Sequence, residues 1–167
     1  MHDELTKTDL EKMRAELDDR RLRLMPELIE EVKRTRAFGD LSENFEYKAA
    51  KQAQNRNRSR IRYLERMIAS AKVIEDRSGA DEVGLYDKVD IFLENAGMRQ
   101  TVRVVTTVRT DPLNGLVSKE SPLGRALLGR RVGDVVTVEV NEGFSYQARI
   151  EALEKGSDDG SAALLQY

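Results

Sequence analysis

Between Tyr47 and Ala71 one set of positions recurs at alternating steps of three and four: Tyr47, Ala50, Gln54, Asn57, Ile61, Leu64, Ile68 and Ala71. Only a helix of 3.6 residues per turn puts these side chains on one face. A stripe that narrow is a coiled-coil seam rather than the broad face of a core helix. Gln54 and Asn57 are polar members of the seam; such residues weaken packing and fix register. The partner lies upstream, where Leu10, Met13, Leu17, Leu24, Leu28 and Val32 form a second stripe. Thr6 is the expected N-cap of that helix, with Asp9 and Glu11 in its first turns, where the helix dipole favours acids. Pro26 interrupts the pattern, so a bend there or a break just before it is expected. The turn between the stripes is short, which makes the pair an antiparallel αα-hairpin. Each arm is about 30 residues, or roughly 45 Å. Zipped from the turn outward, Leu28 faces the level of Asn57 and Leu17 faces Ile68. A two-helix hairpin of that length has no further layer to pack on and is expected to project.

After Ser78-Gly79-Ala80 the period changes to two, which divides the chain into residues 1–77 and 78–167. Val83 to Leu85, Val89 to Leu93, Gln100 to Val108, Val135 to Val140 and Phe144 to Ile150 read as half-buried strands. Asn95-Ala96-Gly97, Asp111-Pro112, Asn114-Gly115 and Asn141-Glu142-Gly143 are turn signals. Ser121-Pro122 followed by Gly129 brackets a short helix, with Ser as N-cap and Pro at the first position. The second part is therefore expected to be an antiparallel sheet with one short helix, and the whole chain α+β.

Charged residues make up 35% of the chain, which suits long exposed helices. The absence of cysteine excludes disulfides and thiolate zinc sites and fits a reducing compartment. No apolar run approaches the roughly 20 residues of a membrane span, and no signal peptide is visible. A soluble, cytoplasmic protein is expected. There is no Ser-His-Asp set, no glycine-rich phosphate loop and no metal-spaced histidine cluster. The lone His2 sits at the terminus, so machinery for unaided catalysis is missing.

Two features remain. The turn from Gly39 to Glu46 carries Asp40, Glu43 and Glu46. One reading is local: Asp40 as N-cap and Glu43 three residues on form a capping-box pair at a positive helix end. The other is chemical: Mg²⁺ is commonly held by one or two protein carboxylates plus waters and phosphates, so two acids on a tip could complete a site supplied by a partner. The second feature is charge. From Tyr47 to Lys72 there are eight basic residues against the single acid Glu65. Arg58, Arg62 and Arg66 are four apart, with Arg56 and Arg60 in a second row. They either pair as a solvated flank with Asp18, Asp19, Glu27, Glu30 and Glu31 of the first arm, or contact the phosphates of a nucleic acid.

Gly39-Asp40-Leu41-Ser42-Glu43-Asn44, continuing through Phe45-Glu46-Tyr47-Lys48-Ala49-Ala50-Lys51, resembles the bacterial GreA/GreB transcript cleavage factors. Ser121-Pro122-Leu123-Gly124-Arg125-Ala126-Leu127-Leu128-Gly129, continuing to Gly133-Asp134, is similar to the same family, as are Leu5-Thr6 and Glu16-Leu17. The resemblance implies an FKBP-like second domain that docks on bacterial RNA polymerase, with Ser121, Pro122, Leu123, Gly124 and Arg125 in the docking segment. It implies a coiled-coil hairpin entering the polymerase's secondary channel. Asp40 and Glu43 would be the catalytic acids that help hold a Mg²⁺ at the polymerase's own active site, supported by Ser42, Asn44 and Glu46. Arg56, Arg58, Arg60, Arg62 and Arg66 would form the basic patch that contacts the nascent RNA 3′ segment. The factor would be a monomer, not itself an enzyme. A channel binder that does not stimulate cleavage is the alternative. A prolyl isomerase is a third reading, from the fold alone, and needs an aromatic-lined pocket built from Tyr86, Phe92, Phe144, Tyr146 or Tyr167. Two departures stand out. Asp9 occupies a position near the start of the first helix where the family usually has Gly. The tail after Ile150 is longer and runs into a Gly/Ser/Asp-rich stretch, Lys155 to Ser161, expected to be mobile.

Overall fold

A computed structural model describes residues 3–39 and 44–166. By its contacts the chain divides into two compact units, Leu10–Ala71 and a second made of Met1–Asp9 with Lys72–Tyr167. The expected division at residue 78 therefore meets a second unit that draws in both the first residues and those from Lys72 onward.

The helical unit is the expected hairpin. Its first arm is helical from residue 7 to residue 36, as α1 (Lys7–Asp19), a π-helical turn (Arg20–Leu24) and α2 (Met25–Arg36). The return arm is α3 (Phe45–Ser70), about 39 Å long at 1.5 Å per residue. The N-cap of α1 is as expected. Thr6 Oγ1 accepts the Asp9 N–H at 3.2 Å, and Asp9 Oδ2 accepts the Thr6 N–H at 2.9 Å, a reciprocal capping box. Pro26 neither breaks nor ends the arm. The five residues before Met25 widen into a π turn, with the Met25 N–H donating to the Arg20 carbonyl. The wider turn relieves the crowding between the proline ring and the preceding turn.

The seam is less apolar than its pattern suggests. Leu10, Met13 and Leu17 are buried, as are Ala50 and Leu64, but so are Thr35, Gln54, Asn57 and Arg60. Leu24, Leu28 and Val32 are only half-buried. The register also differs from the expected one. Asn57 faces Arg20, not Leu28: Arg20 donates from Nη1 to Asn57 Oδ1 at 2.9 Å, and Asn57 Nδ2 donates to the Arg20 carbonyl at 3.3 Å. The partner of Asn57 lies eight residues, about two helical turns, before the expected Leu28. Beside this pair, Arg60 donates to both oxygens of Glu16, at 2.7 and 3.2 Å, and Glu16 also accepts from Arg20 at 2.8 Å.

The second unit is built on a five-stranded sheet in the order β5-β4-β3-β7-β6, with β3 (Lys88–Leu93), β4 (Met98–Val105), β5 (Leu116–Ser118), β6 (Val135–Asn141) and β7 (Phe144–Glu154). A separate two-stranded parallel pair joins β1 (Glu4–Leu5) to β2 (Lys72–Val73). The expectation of an antiparallel sheet holds for β3, β4, β6 and β7 but not for β5, which pairs parallel with β4. The chain between β4 and β5 winds through two 3₁₀ turns, Thr107–Arg109 and Pro112–Asn114, and returns in the same direction. Val83 to Leu85, expected as a strand, is irregular yet buried; Val83 exchanges backbone hydrogen bonds with Gly129 and Arg130. Alternate residues Val89 and Ile91, Val102 and Val104, Val136 and Val138, Ala148 and Ile150 form the core, closed by α4 (Pro122–Leu127) through Leu127.

The tail is not the mobile stretch that its composition predicts. Asp87 is fully buried; it accepts from Gly156 N–H at 2.8 Å and from Lys155 Nζ. Arg109, also fully buried, grips Asp158 through two bonds of 2.7 and 2.9 Å, Asp9 at 3.1 Å and the Ala162 carbonyl at 2.6 Å. Buried charge is tolerated only when paired and hydrogen-bonded, and Asp158 completes that requirement.

The Glu16–Arg60 pair makes a stability prediction. Glu16→Gln keeps the shape and removes the charge opposite two guanidinium groups. Arg60 is buried and Glu16 half-buried; leaving the buried guanidinium without its carboxylate costs up to about 3 kcal/mol, so thermal unfolding followed by circular dichroism should show a fall in the hairpin's midpoint. An unchanged midpoint would show that the pair adds nothing.

Candidate functional site

Asp40, Ser42 and Glu43 lie outside the described residues, but the frame that carries them does not. The N-cap of α3 is Asn44, whose Oδ1 accepts the Tyr47 N–H at 3.0 Å. The cap of α3 is thus Asn44 and not Asp40; the expected Asp40–Glu43 pairing lies outside the described residues. Asn44 Nδ2 also donates to the Thr35 carbonyl at 2.6 Å, joining the end of α2 to the start of α3. Glu46, in the first turn of α3, is 67% exposed, with Arg34 at 3.9 Å. Arg34 is more closely engaged with Glu31, whose carboxyl its hydrogen bond holds below the usual range. Two aromatic residues flank the turn and are largely exposed, Phe38 and Phe45. Each has a cation over its ring, Arg34 at 5.4 Å and Lys48 at 5.6 Å. The hydrophobic pattern missed both because it searches for buried positions.

The structure sorts the arginines of α3. Arg60 leaves the expected RNA-facing set, being 6% exposed and paired with Glu16 in the seam. Arg56, Arg58, Arg62 and Arg66 are exposed. The expected flank pairing between arms is mostly absent among the described residues, because the acids of the first arm are taken up locally. Asp19 and Glu27 pair with Arg23, Glu30 with Lys33, and Glu31 with Arg34. Arg21 reaches Glu65, the lone acid of the return arm. Four exposed arginines, Arg58, Arg62 and Arg66 in one row and Arg56 in the other, are thus left without an ion-pair partner among the described residues.

In the sheet unit the predicted docking segment divides by role. Ser121 caps α4 by accepting the Gly124 N–H at 3.0 Å, and its hydroxyl donates to the Ser118 carbonyl at 2.6 Å. Gly124 is obligatory, since a Cβ there would sit 2.0 Å from the Ser118 oxygen. Leu123 packs against the core. Pro122 and Arg125 alone of the five are exposed. Beside them Lys119 bridges Glu4 and Glu120. A cavity of about 460 Å³ next to the tail is lined by Tyr86, Arg103, Asp111 and Asp159 among others. It takes only one aromatic residue, so it is not the pocket that a prolyl isomerase needs. Among the described residues no cluster of His, Cys, Asp or Glu is set to hold a metal, and no helix is long and apolar enough to cross a membrane.

A charged helical hairpin and a separately folded mixed-sheet domain, carrying the two motifs above, define a two-part helical-hairpin factor. Two family models cover nearly all of it: "Transcription elongation factor, N-terminal" over residues 4–73 and "Transcription elongation factor, GreA/GreB, C-term" over residues 78–155. The chain belongs to the GreA/GreB family of transcription elongation factors. It is 41% identical over 151 residues to the transcription elongation factor GreA of Thermotoga maritima, which covers 90% of this chain and 97% of that one. It is 39% identical over 140 residues to that of Lactococcus lactis subsp. cremoris, covering 83% and 90%. Among solved structures it is similar to the GreA factor homolog 1 (Gfh1) protein of Thermus thermophilus, with 30% identity over 91% of this chain and 98% of that one, and a TM-score of 0.41.

Glu120, beside the predicted docking segment, supplies a pH test of the local fold. Its hydrogen bond from Lys119 pulls the carboxyl down to about 2. An acid held low when folded and near about 4.3 when unfolded stabilises the fold above the unfolded value. That contribution is lost as pH falls toward the folded one. Wild type should therefore resist urea better than Glu120→Gln at pH 7, and the gap should close between about pH 4.3 and pH 2. A gap that stays constant with pH would contradict the assignment.

Proposed function

We propose that this chain rescues stalled transcription by stimulating RNA polymerase's own cleavage of backtracked nascent RNA. The observation that carries the reading is the position of the motif. Both acids, Asp40 and Glu43, lie in sequence between the end of α2 and the start of α3, in a hairpin whose return arm bears four exposed arginines without an ion-pair partner among the described residues. The partner would be bacterial RNA polymerase, approached through its secondary channel, and the chain would act where the polymerase does, in the cytoplasm.

The donor chemistry fits a shared metal. Two carboxylates are hard oxygen ligands of the kind Mg²⁺ accepts, and two are too few to enclose it, which suits a site completed by the polymerase. Asp40 and Glu43 would hold the ion; Glu46, exposed on the first turn of α3, adds negative potential nearby. When bound, Mg²⁺ supplies water activation and charge stabilisation at the leaving oxygen. Arg56, Arg58, Arg62 and Arg66 would bind the phosphates of the extruded RNA 3′ segment, which orients the strand. Pro122 and Arg125 are the exposed members of the docking segment and would meet the polymerase. The chain would act on the polymerase's own cleavage chemistry rather than as an enzyme by itself. A channel binder without cleavage activity is less favoured, since both acids are present.

The test is a stalled, backtracked elongation complex incubated with the factor and Mg²⁺. Wild type should shorten the RNA, while Asp40→Ala or Glu43→Ala should lower the cleavage rate by roughly 100-fold and leave polymerase binding intact. Undiminished cleavage by both variants would sink the reading. In the same assay, replacing Arg56, Arg58, Arg62 and Arg66 singly with Ala should each flatten the dependence of RNA contact on log salt by about 0.7. Arg60→Ala should instead lower hairpin stability without a specific change in that slope.

A further inference from the structure

We propose that the cavity beside the C-terminal tail is a binding site for a small zwitterion, an amino acid or dipeptide with an apolar side chain.

The cavity measures about 460 Å³, within the range of pockets that take small molecules, and every residue lining it belongs to the sheet unit. Two stretches of chain wall it. One is β4 and the turns that follow it, with Arg103, Asp111 and Leu116. The other is the tail, with Asp159, Ala162 and Ala163. The match to the family's C-terminal model ends at residue 155, so the tail wall lies beyond what that model describes.

That wall is in place before any ligand arrives. Arg109 holds Asp158 through two bonds and donates to the Ala162 carbonyl at 2.6 Å. Further on, the Leu165 N–H donates to the Val108 carbonyl at 2.7 Å, and Leu164 is buried. A wall fixed in advance lowers the ordering cost of binding. Tyr86, which also lines the cavity, is buried and has a φ of +67°, the one positive φ outside glycine among the described residues. Such strain persists only where the surroundings impose it, and it clusters at ligand clamps.

The charges select the ligand. Arg103 is exposed, and its guanidinium makes no ion pair or hydrogen bond among the described residues. Asp159 uses Oδ1 to accept both the Ser161 N–H at 2.8 Å and the Ser161 hydroxyl at 2.6 Å. Asp111 uses Oδ2 to accept from Asn114 Nδ2 at 2.6 Å. Each acid thus keeps one oxygen that no other side chain engages. The bonds from Ser161, with Arg103 adding its charge from farther off, hold the Asp159 carboxyl below its usual range, so it is ionised at neutral pH. A guanidinium takes a carboxylate in a two-pronged fork, and free carboxylate oxygens take the three donors of an ammonium. An amino acid or dipeptide carries both groups on one small frame. A simple anion would face the two acids and a simple cation would face Arg103, so each fits less well. Leu116, Ala162 and Ala163 offer apolar surface to the ligand's side chain.

The probes are L-leucine and L-alanyl-L-leucine, titrated into the full chain by calorimetry. At least one should bind saturably at about millimolar concentration or tighter and raise the thermal midpoint. N-acetyl-L-leucine lacks the ammonium and L-leucinamide lacks the carboxylate; each should bind leucine's site roughly 10-fold more weakly or worse. Arg103→Gln should weaken leucine by a similar factor and leave leucinamide unchanged. Asp159→Asn should weaken leucine and leave N-acetyl-leucine unchanged. Both positions are exposed, so the unliganded midpoint should stay at the wild-type value, and the crossed pattern separates lost recognition from lost structure. No saturable binding of either probe would overturn the proposal. So would equal binding of the blocked compounds, or leucine binding that neither variant changes.

Discussion

A two-helix hairpin has one seam, and every other surface faces water. The half-buried Glu16, with the buried Arg60 donating to both its oxygens and Arg20 to one, is the constraint on which this seam depends. A seam built from leucines alone would bury more area but would let the arms slide by a heptad with little penalty. One carboxylate facing two guanidinium groups, next to an asparagine that takes a specific backbone carbonyl, admits one register. Stability is exchanged for specificity: the half-buried Leu24, Leu28 and Val32 show that the part nearest the turn is thinly packed.

The same pairing decides what α3 offers to a partner. Had Arg60 been exposed, it would have been one more member of a diffuse positive surface. Drawn into the seam, it leaves Arg56, Arg58, Arg62 and Arg66 as a narrower set. These stay unneutralised because the first arm satisfies its own acids at i, i+3 and i, i+4 spacing, an arrangement that costs little side-chain ordering. Local pairing on one helix thus creates an unpaired surface on the other.

What could be read from the sequence followed from how local the underlying physics is. The Thr6 cap, the Ser121 cap and the seam period depend on neighbours within a turn, and all three appear in the structure as read. The cap of α3 was misread because Asp40 and Asn44 are both good N-cap residues. The choice between them depends on the Thr35 carbonyl, a partner nine residues away. The parallel placement of β5 was hidden because short turns ordinarily signal a reversal, whereas here two successive 3₁₀ turns combine to restore direction. Arg60 was placed with the other arginines because charge alone does not show which of several arginines will find a carboxylate across a seam.

The tail is the sharpest case. Gly, Ser and Asp in quick succession describe a solvated linker, and neither hydropathy nor propensity contradicts that. Yet Asp158 neutralises Arg109, and Arg109 also holds Asp9. An acid near the start of the first helix and an acid of the C-terminal segment thus meet at one buried guanidinium. Each makes sense only with the other. Asp9 without Arg109 would be an unpaired buried charge, and Arg109 without Asp158 would lose its two-pronged partner. The tail stays in place because it completes a charge set in the core, which is a property of three residues far apart in sequence and of no segment taken alone.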